Sequence, residues 1–132
     1  MPEDADRWKS LEVWKLADEL ARALYHATKA FPASELYALT SQLRRAGLSI
    51  PTNIVEGYAR SGDKELGRFL DIALGSLAEV KYLLHFAASL DYLSSAQQED
   101  LQGQANELGR KLWRFYAAVK KKPSRQAGGS NI

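Results

Sequence analysis

The sequence predicts an all-α domain, an antiparallel up-down-up-down four-helix bundle, and three observations carry the prediction. Apolar residues recur at steps of three and four in four successive stretches. The connections between those stretches are short and rich in Pro, Gly and Ser, and no stretch alternates apolar with polar residues as a strand would. The 132 residues are 45% hydrophobic and 26% charged, the balance of one ordinary globular domain able to bury a core.

In chain order, residues 1–9 are polar and are expected to form a flexible N-terminus, followed by a bundle over 10–120 and a basic flexible tail over 121–132. The first helix is expected over about residues 10–29, where Leu11, Trp14, Ala17, Leu20, Ala21, Leu24 and Thr28 make one stripe. Phe31-Pro32-Ala33-Ser34 ends it, because proline cannot continue a helix, and Ser34 is placed to cap the next. The second helix is expected over about residues 35–60. Leu36, Leu39, Leu43, Gly47, Ile50, Ile54 and Gly57 fall on one arc at 100 degrees per residue. Beside that arc Gln42, Ser49, Asn53, Glu56 and Arg60 form a polar stripe of the kind that faces a neighbour. Pro51 lies inside the pattern and presses its ring on the carbonyl of Gly47, whose missing side chain gives the turn room to bend, so one kinked helix is expected. Gly62 then suits a C-terminal cap and Asp63 an N-cap.

The third helix, over about residues 64–89, carries a central stripe of Leu66, Leu70, Ala73, Leu77, Val80 and Leu84. Phe69, Ile72, Ser76, Leu83 and Leu90 widen it to about 160 degrees, more than the roughly 100 degrees that one core face needs. Either this helix is central within the subunit or its excess face meets another one; because a bundle of four helices gives each member one inward face, the second is favoured and Phe69, Ile72 and Leu83 are expected at that contact. Gly67, Gly75 and Ser76 are small residues in a helix interior, either tolerated at the surface or present to let a neighbouring backbone come close. Ser95 with Gln98 reads as a capping box for the fourth helix, whose Leu101, Ala105, Leu108, Leu112, Phe115 and Val119 follow a heptad-like seam.

There is no cysteine, which excludes disulfides, thiolate nucleophiles and sulfur-ligated metals. The N-terminus has no apolar leader and no apolar run reaches the roughly 18 residues of a membrane span, so a soluble cytoplasmic protein is expected. The formal charge of +2 hides an asymmetry: all 16 acidic residues precede residue 110, giving −5 there, while the remainder carries +7. That basic end is Arg110, Lys111, Arg114, Lys120, Lys121, Lys122 and Arg125, either a solvated tail or an electrostatic contact with phosphates. Neither histidine has a glutamate three residues before it, so the paired ligands of a di-iron bundle are missing. Gly57 and Gly62 have the spacing of a phosphate-binding loop, but Asp63 stands where the lysine belongs. Glu56 and Arg60 are set for a within-helix ion pair. Asn53 and Glu56 could instead bond across to Ser76 or Glu79, as a polar clasp or as an acid/base pair.

The ordered set Leu11-Glu12-Val13-Trp14, Phe31-Pro32, Glu35-Leu36-Tyr37, Gln42-Leu43-Arg44-Arg45-Ala46, Ser49-Ile50-Pro51, Asn53-Ile54-Val55-Glu56-Gly57, Arg60 and Phe69 through Glu79 resembles the four helix bundle protein family. That family is also named for the intervening sequences of 23S ribosomal RNA genes. The resemblance covers about residues 10–90, with Val55 and Leu74 departing from the usual residues and the basic tail outside it. It implies a four-helix subunit that assembles into a ring-shaped homopentamer, with Asn53, Glu56, Gly57, Arg60, Gly75, Ser76 and Glu79 as structural motif residues. One branch looks like the accessory variability determinant of diversity-generating retroelements, a basic pentamer that binds nucleic acid and a reverse transcriptase. The expectation for this chain is a non-enzymatic oligomeric adaptor without cofactor or metal, contacting RNA or DNA through its basic end. The alternative is a protein-interaction scaffold with no nucleic-acid role.

Overall fold

Four apolar stripes at helical period must be buried against something, and in the computed structural model, which describes residues 3–121, they close on one another. The helices are α1, Glu12–Thr28; α2, Leu39–Ala59; α3, Asp63–Ser89; and α4, Ser95–Lys121. Short 3-10 segments, Glu3–Ser10 and Ala33–Glu35, precede α1 and α2, and there is no strand among the described residues. The all-α, four-helix expectation therefore holds. No helix among the described residues is long and apolar enough to cross a membrane.

Each helix packs on two others, α1 on α2 and α4, and α3 on α2 and α4. Along successive helices the contacts run with residue numbers rising on one side and falling on the other. Gly47 lies against Leu24 and Arg44 against Thr28; Ser49 meets Ser76 and Gly57 meets Phe69; Gly67 lies near Val119 and Gly109 near Leu77. The core so enclosed contains Leu20, Leu24, Leu43, Ile50, Ile54, Leu70, Val80, Leu84, Leu108 and Leu112, all fully buried. At about 1.5 to 3 kcal/mol for each such side chain, this burial is the main stabilising term.

The helix ends differ from the sequence expectations in instructive ways. Residues Glu3–Ser10 form a 3-10 segment in which the Trp8 ring packs edge-on against Trp14 at 4.9 Å and Arg7 donates to the Tyr58 hydroxyl at 3.1 Å. Helix α2 begins at Leu39, and Ser34 does not cap it; the Glu35 carboxylate accepts the Leu39 N–H at 3.3 Å and the Tyr92 hydroxyl proton at 3.0 Å. That second bond, with partial burial, raises the Tyr92 pKa above its ordinary value. The helix continues through Pro51 without a break. Gly62, with φ of +89°, occupies the N-cap of α3 and Asp63 is the first helical residue, so the cap falls one position earlier than expected. The capping box of α4 is Ser94 with Gln97, not Ser95 with Gln98: the Gln97 N–H donates to Ser94 Oγ at 3.1 Å and the Ser94 N–H to Gln97 Oε1 at 2.9 Å.

The wide arc of α3 is divided differently from expectation. Phe69 and Leu83 are 7% and 5% exposed, buried inside this subunit, so they are not available to a second one; of the three residues expected at an interface, Ile72 alone is exposed, at 42%. Neighbours on both flanks explain this, since α3 is held between α2 and α4 and so needs more than one inward stripe. Helix α4 runs through Lys121, while Lys122 and Arg125 lie outside the described residues.

Candidate functional site

Helix α4 ends in cations, which complement the negative end of its dipole and so belong there on local grounds alone. Rotation about the helix then sorts them. Lys111 turns toward α1, its Nζ 2.6 Å from Glu12 Oε2 and 3.8 Å from Glu107 Oε2, and the hydrogen bond to Glu12 raises its pKa. Lys111 is thus a structural tie between α4 and α1 rather than a free charge. Arg110, Arg114, Lys120 and Lys121 are exposed and have no carboxylate partner among the described residues. At 100 degrees per residue, Arg110, Arg114 and Lys121 fall within about 40 degrees of one another, with Lys120 on the flank. Trp113 shares that face, 57% exposed, its ring 5.4 Å from Tyr116. Trp113 is not among the residues that charge counting singles out, although its position three residues after Arg110 and one before Arg114 is the signal for it.

Between α3 and α4, next to this face, runs a groove of about 490 Å³ lined by Leu74, Leu77, Lys81, Gly109, Arg110 and Trp113, with Ala78 and Asn106. A second groove, between α1 and α2, is lined by Asp18, Arg22, Tyr25, His26, Lys29 and Leu48. Its charges are mostly engaged. Arg22 donates to Asp18 at 2.9 Å, and the Tyr25 ring is covered by Arg44 at 4.9 Å. Arg44 also donates to Thr28 Oγ1 at 2.8 Å and to the Tyr25 carbonyl at 3.3 Å, which makes it a cap on the C-terminus of α1.

The polar stripe of α2 does face α3. Ser49 and Ser76 share a hydrogen bond of 2.9 Å, Asn53 donates to the Ser49 carbonyl at 2.8 Å and to its Oγ at 2.9 Å, and Gln42 reaches Glu79 at 3.2 Å. Asn53 is therefore tied to its own helix and not across to Ser76. Glu56 is exposed and makes no ion pair with Arg60 among the described residues, because Arg60 leaves the helix in extended conformation, with ψ of 160°, and lays its guanidinium over the Phe69 ring at 5.2 Å. Arg68 covers the same ring at 4.6 Å while bonding Glu65, which lowers the Glu65 pKa and raises its own. Gly57 admits Phe69, whose Cβ would stand only 2.7 Å from a Cβ at residue 57. The two carboxylates considered as an acid/base pair, Glu56 and Glu79, are not brought together by any bond, and His26 and His85 are both exposed.

Gly75 is exposed on α3 and a Cβ there would meet nothing within 4 Å. Gly75→Ala is thus expected to stabilise the isolated subunit by about 0.5 to 1 kcal/mol through helix propensity alone. Urea denaturation at low protein concentration checks this.

A family model described as 23S rRNA-intervening sequence protein matches residues 9–114 of this chain. The chain belongs to the 23S rRNA-intervening sequence protein family. The match takes in α1, α2, α3 and most of α4, including Arg110, Lys111, Trp113 and Arg114, and stops short of Lys120. Among solved structures, a protein of unknown function from the S23 ribosomal protein family of Bacteroides thetaiotaomicron is similar, with a TM-score of 0.72 at 23% identity over 80% of this chain and 95% of that one. That likeness establishes the fold of this member of the intervening-sequence protein family. No curated protein matches it.

Proposed function

We propose that the chain is one subunit of a non-enzymatic, cytoplasmic homo-oligomeric adaptor, an up-down-up-down bundle that contacts RNA or DNA through the basic face at the end of α4. The observation that carries the reading is the set of exposed cations Arg110, Arg114, Lys120 and Lys121, without carboxylate partners among the described residues, in a chain whose first 109 residues are net negative. A ring, pentameric by family resemblance, would gather several such faces and raise the local potential above that of one subunit. The contact between copies is assigned to the outer stripe of α3, where Ile72, Gly75, Glu79, Tyr82, Phe86 and Leu90 follow one another at steps of three and four, all exposed. This stripe takes the place of the buried Phe69 and Leu83.

The test is fluorescence anisotropy with labelled RNA and DNA at several salt concentrations, alongside light scattering for the assembly state. Binding is expected to weaken linearly on a log–log plot, and replacing Arg110, Arg114, Lys120 and Lys121 together with Gln should reduce the slope by about three. Absence of binding at low salt, or an unchanged slope in the variant, counts against the basic face. A mass of one subunit, 14.7 kDa, at high concentration counts against the oligomer. The exposed apolar stripe of α3 also favours a second reading, a scaffold for a protein partner, a reverse transcriptase or another, with no nucleic-acid role. A protein partner retained after nuclease treatment supports that scaffold.

A further inference from the structure

Building on the nucleic-acid reading above, we propose that Trp113 and the groove beside it form a stacking seat for a base of single-stranded nucleic acid, so that the chain prefers single strands to duplex. Cations alone would contact either, since both expose phosphates. An indole face offers something only an unstacked base can use, because in a duplex the base faces are already covered by their neighbours. Trp113 is more than half exposed, stands between Arg110 and Arg114 in sequence, and is flanked by the Tyr116 ring at 5.4 Å, which limits how far the indole can swing. The groove it borders has two cations, Lys81 from α3 and Arg110 from α4, and no carboxylate in its lining. Its floor is apolar, from Leu74 and Leu77, and Asn106 adds an amide able to bond a base edge. Gly109 keeps the floor open: a Cβ there would reach within 3.4 Å of the Leu77 methyl and 3.5 Å of the Lys81 ammonium. The α1–α2 groove lacks this combination, since its arginine is paired with Asp18 and its tyrosine ring is covered by Arg44. Charge complementarity selects an anionic occupant, and the exposed part of the indole selects one with free π-faces.

Anisotropy with a labelled oligothymidylate and with a labelled duplex of equal length, on the full chain, tests the proposal. The expected result is that Trp113→Ala weakens single-strand binding about tenfold, leaves duplex binding within about twofold and leaves the salt slope unchanged, because no cation is removed. Trp113→Phe should recover part of the loss. Single-strand binding should also quench tryptophan fluorescence in the wild type but not in Trp113→Phe, where only Trp8 and Trp14 remain. Single-strand affinity unmoved by Trp113→Ala, with wild-type binding intact, would overturn the stacking seat while leaving the basic face standing. Equal weakening of single strand and duplex, or a change of assembly mass in Trp113→Ala, would overturn it in favour of a protein contact at Trp113. If the wild type binds no nucleic acid at any salt, the nucleic-acid reading falls and the seat with it.

Discussion

Gly57→Val is expected to destabilise the subunit by about 3 kcal/mol, at the upper end of the overpacking range, and to lower its unfolding midpoint by about 10 °C. A Cβ at residue 57 would lie 2.7 Å from the Cβ of Phe69, 3.3 Å from Leu66 Cδ1 and 3.5 Å from the Leu66 carbonyl oxygen. The first of these contacts decides the sign. A Cβ cannot rotate away from its own backbone, so relief requires α3 to move from α2, whereas the end of a flexible side chain could simply turn. The Phe69 ring cannot lead that movement either, being buried and covered by both Arg60 and Arg68. A side chain in place of glycine gains up to about 1 kcal/mol of helix propensity, less for valine, which is too small to compensate. Thermal and urea denaturation of the purified variant check the prediction. A midpoint equal to the wild type would mean that the helices are further apart at residue 57 than described.

The same clash should disturb the α2–α3 seam, because the Ser49–Ser76 bond requires the two helices at one spacing. Gly57 thus shows why a motif glycine can be found in a sequence while its reason cannot. The apolar arc of α2 was legible, since a helix with one face in water must repeat its apolar residues at the helical period. What stands opposite each position is a property of the packed pair, and neither sequence alone specifies it. Phe69 and Leu83 illustrate the point: periodicity located them on α3 but could not show that α2 and α4 would cover them while Ile72 stayed outside. Helix ends were less legible than helices because one hydrogen bond decides a cap. Ser94 and Ser95 are chemically alike, as are Gln97 and Gln98, and the turn before α4 chose the earlier pair. Charge counting failed in the same way at the C-terminal end, where Arg110 and Lys111 look equivalent in sequence. A rotation of 100 degrees sends one to solvent and the other to Glu12.

Where α1 meets α2, Leu24 and Gly47 are expected to behave as one packing unit, with non-additive substitutions. Leu24 is fully buried, and Leu24→Ala should cost about 2 to 5 kcal/mol through lost burial and a residual cavity. Gly47→Ala places a methyl group 2.6 Å from Leu24 Cδ1, and because Leu24 is fully buried its end can turn only against close-packed neighbours. Its net cost should be about 1 to 2 kcal/mol, the overpacking partly offset by helix propensity. In the double variant the new methyl group enters space that the leucine has vacated, so the clash disappears and the cavity shrinks. The double variant should therefore be more stable than the sum of the single effects by at least about 1 kcal/mol, measured by urea denaturation of all four proteins. Additivity within about 0.5 kcal/mol would mean that Gly47 does not owe its place to Leu24. The remaining explanation would then be the one within the helix, in which Gly47 makes room for the ring of Pro51 four residues on.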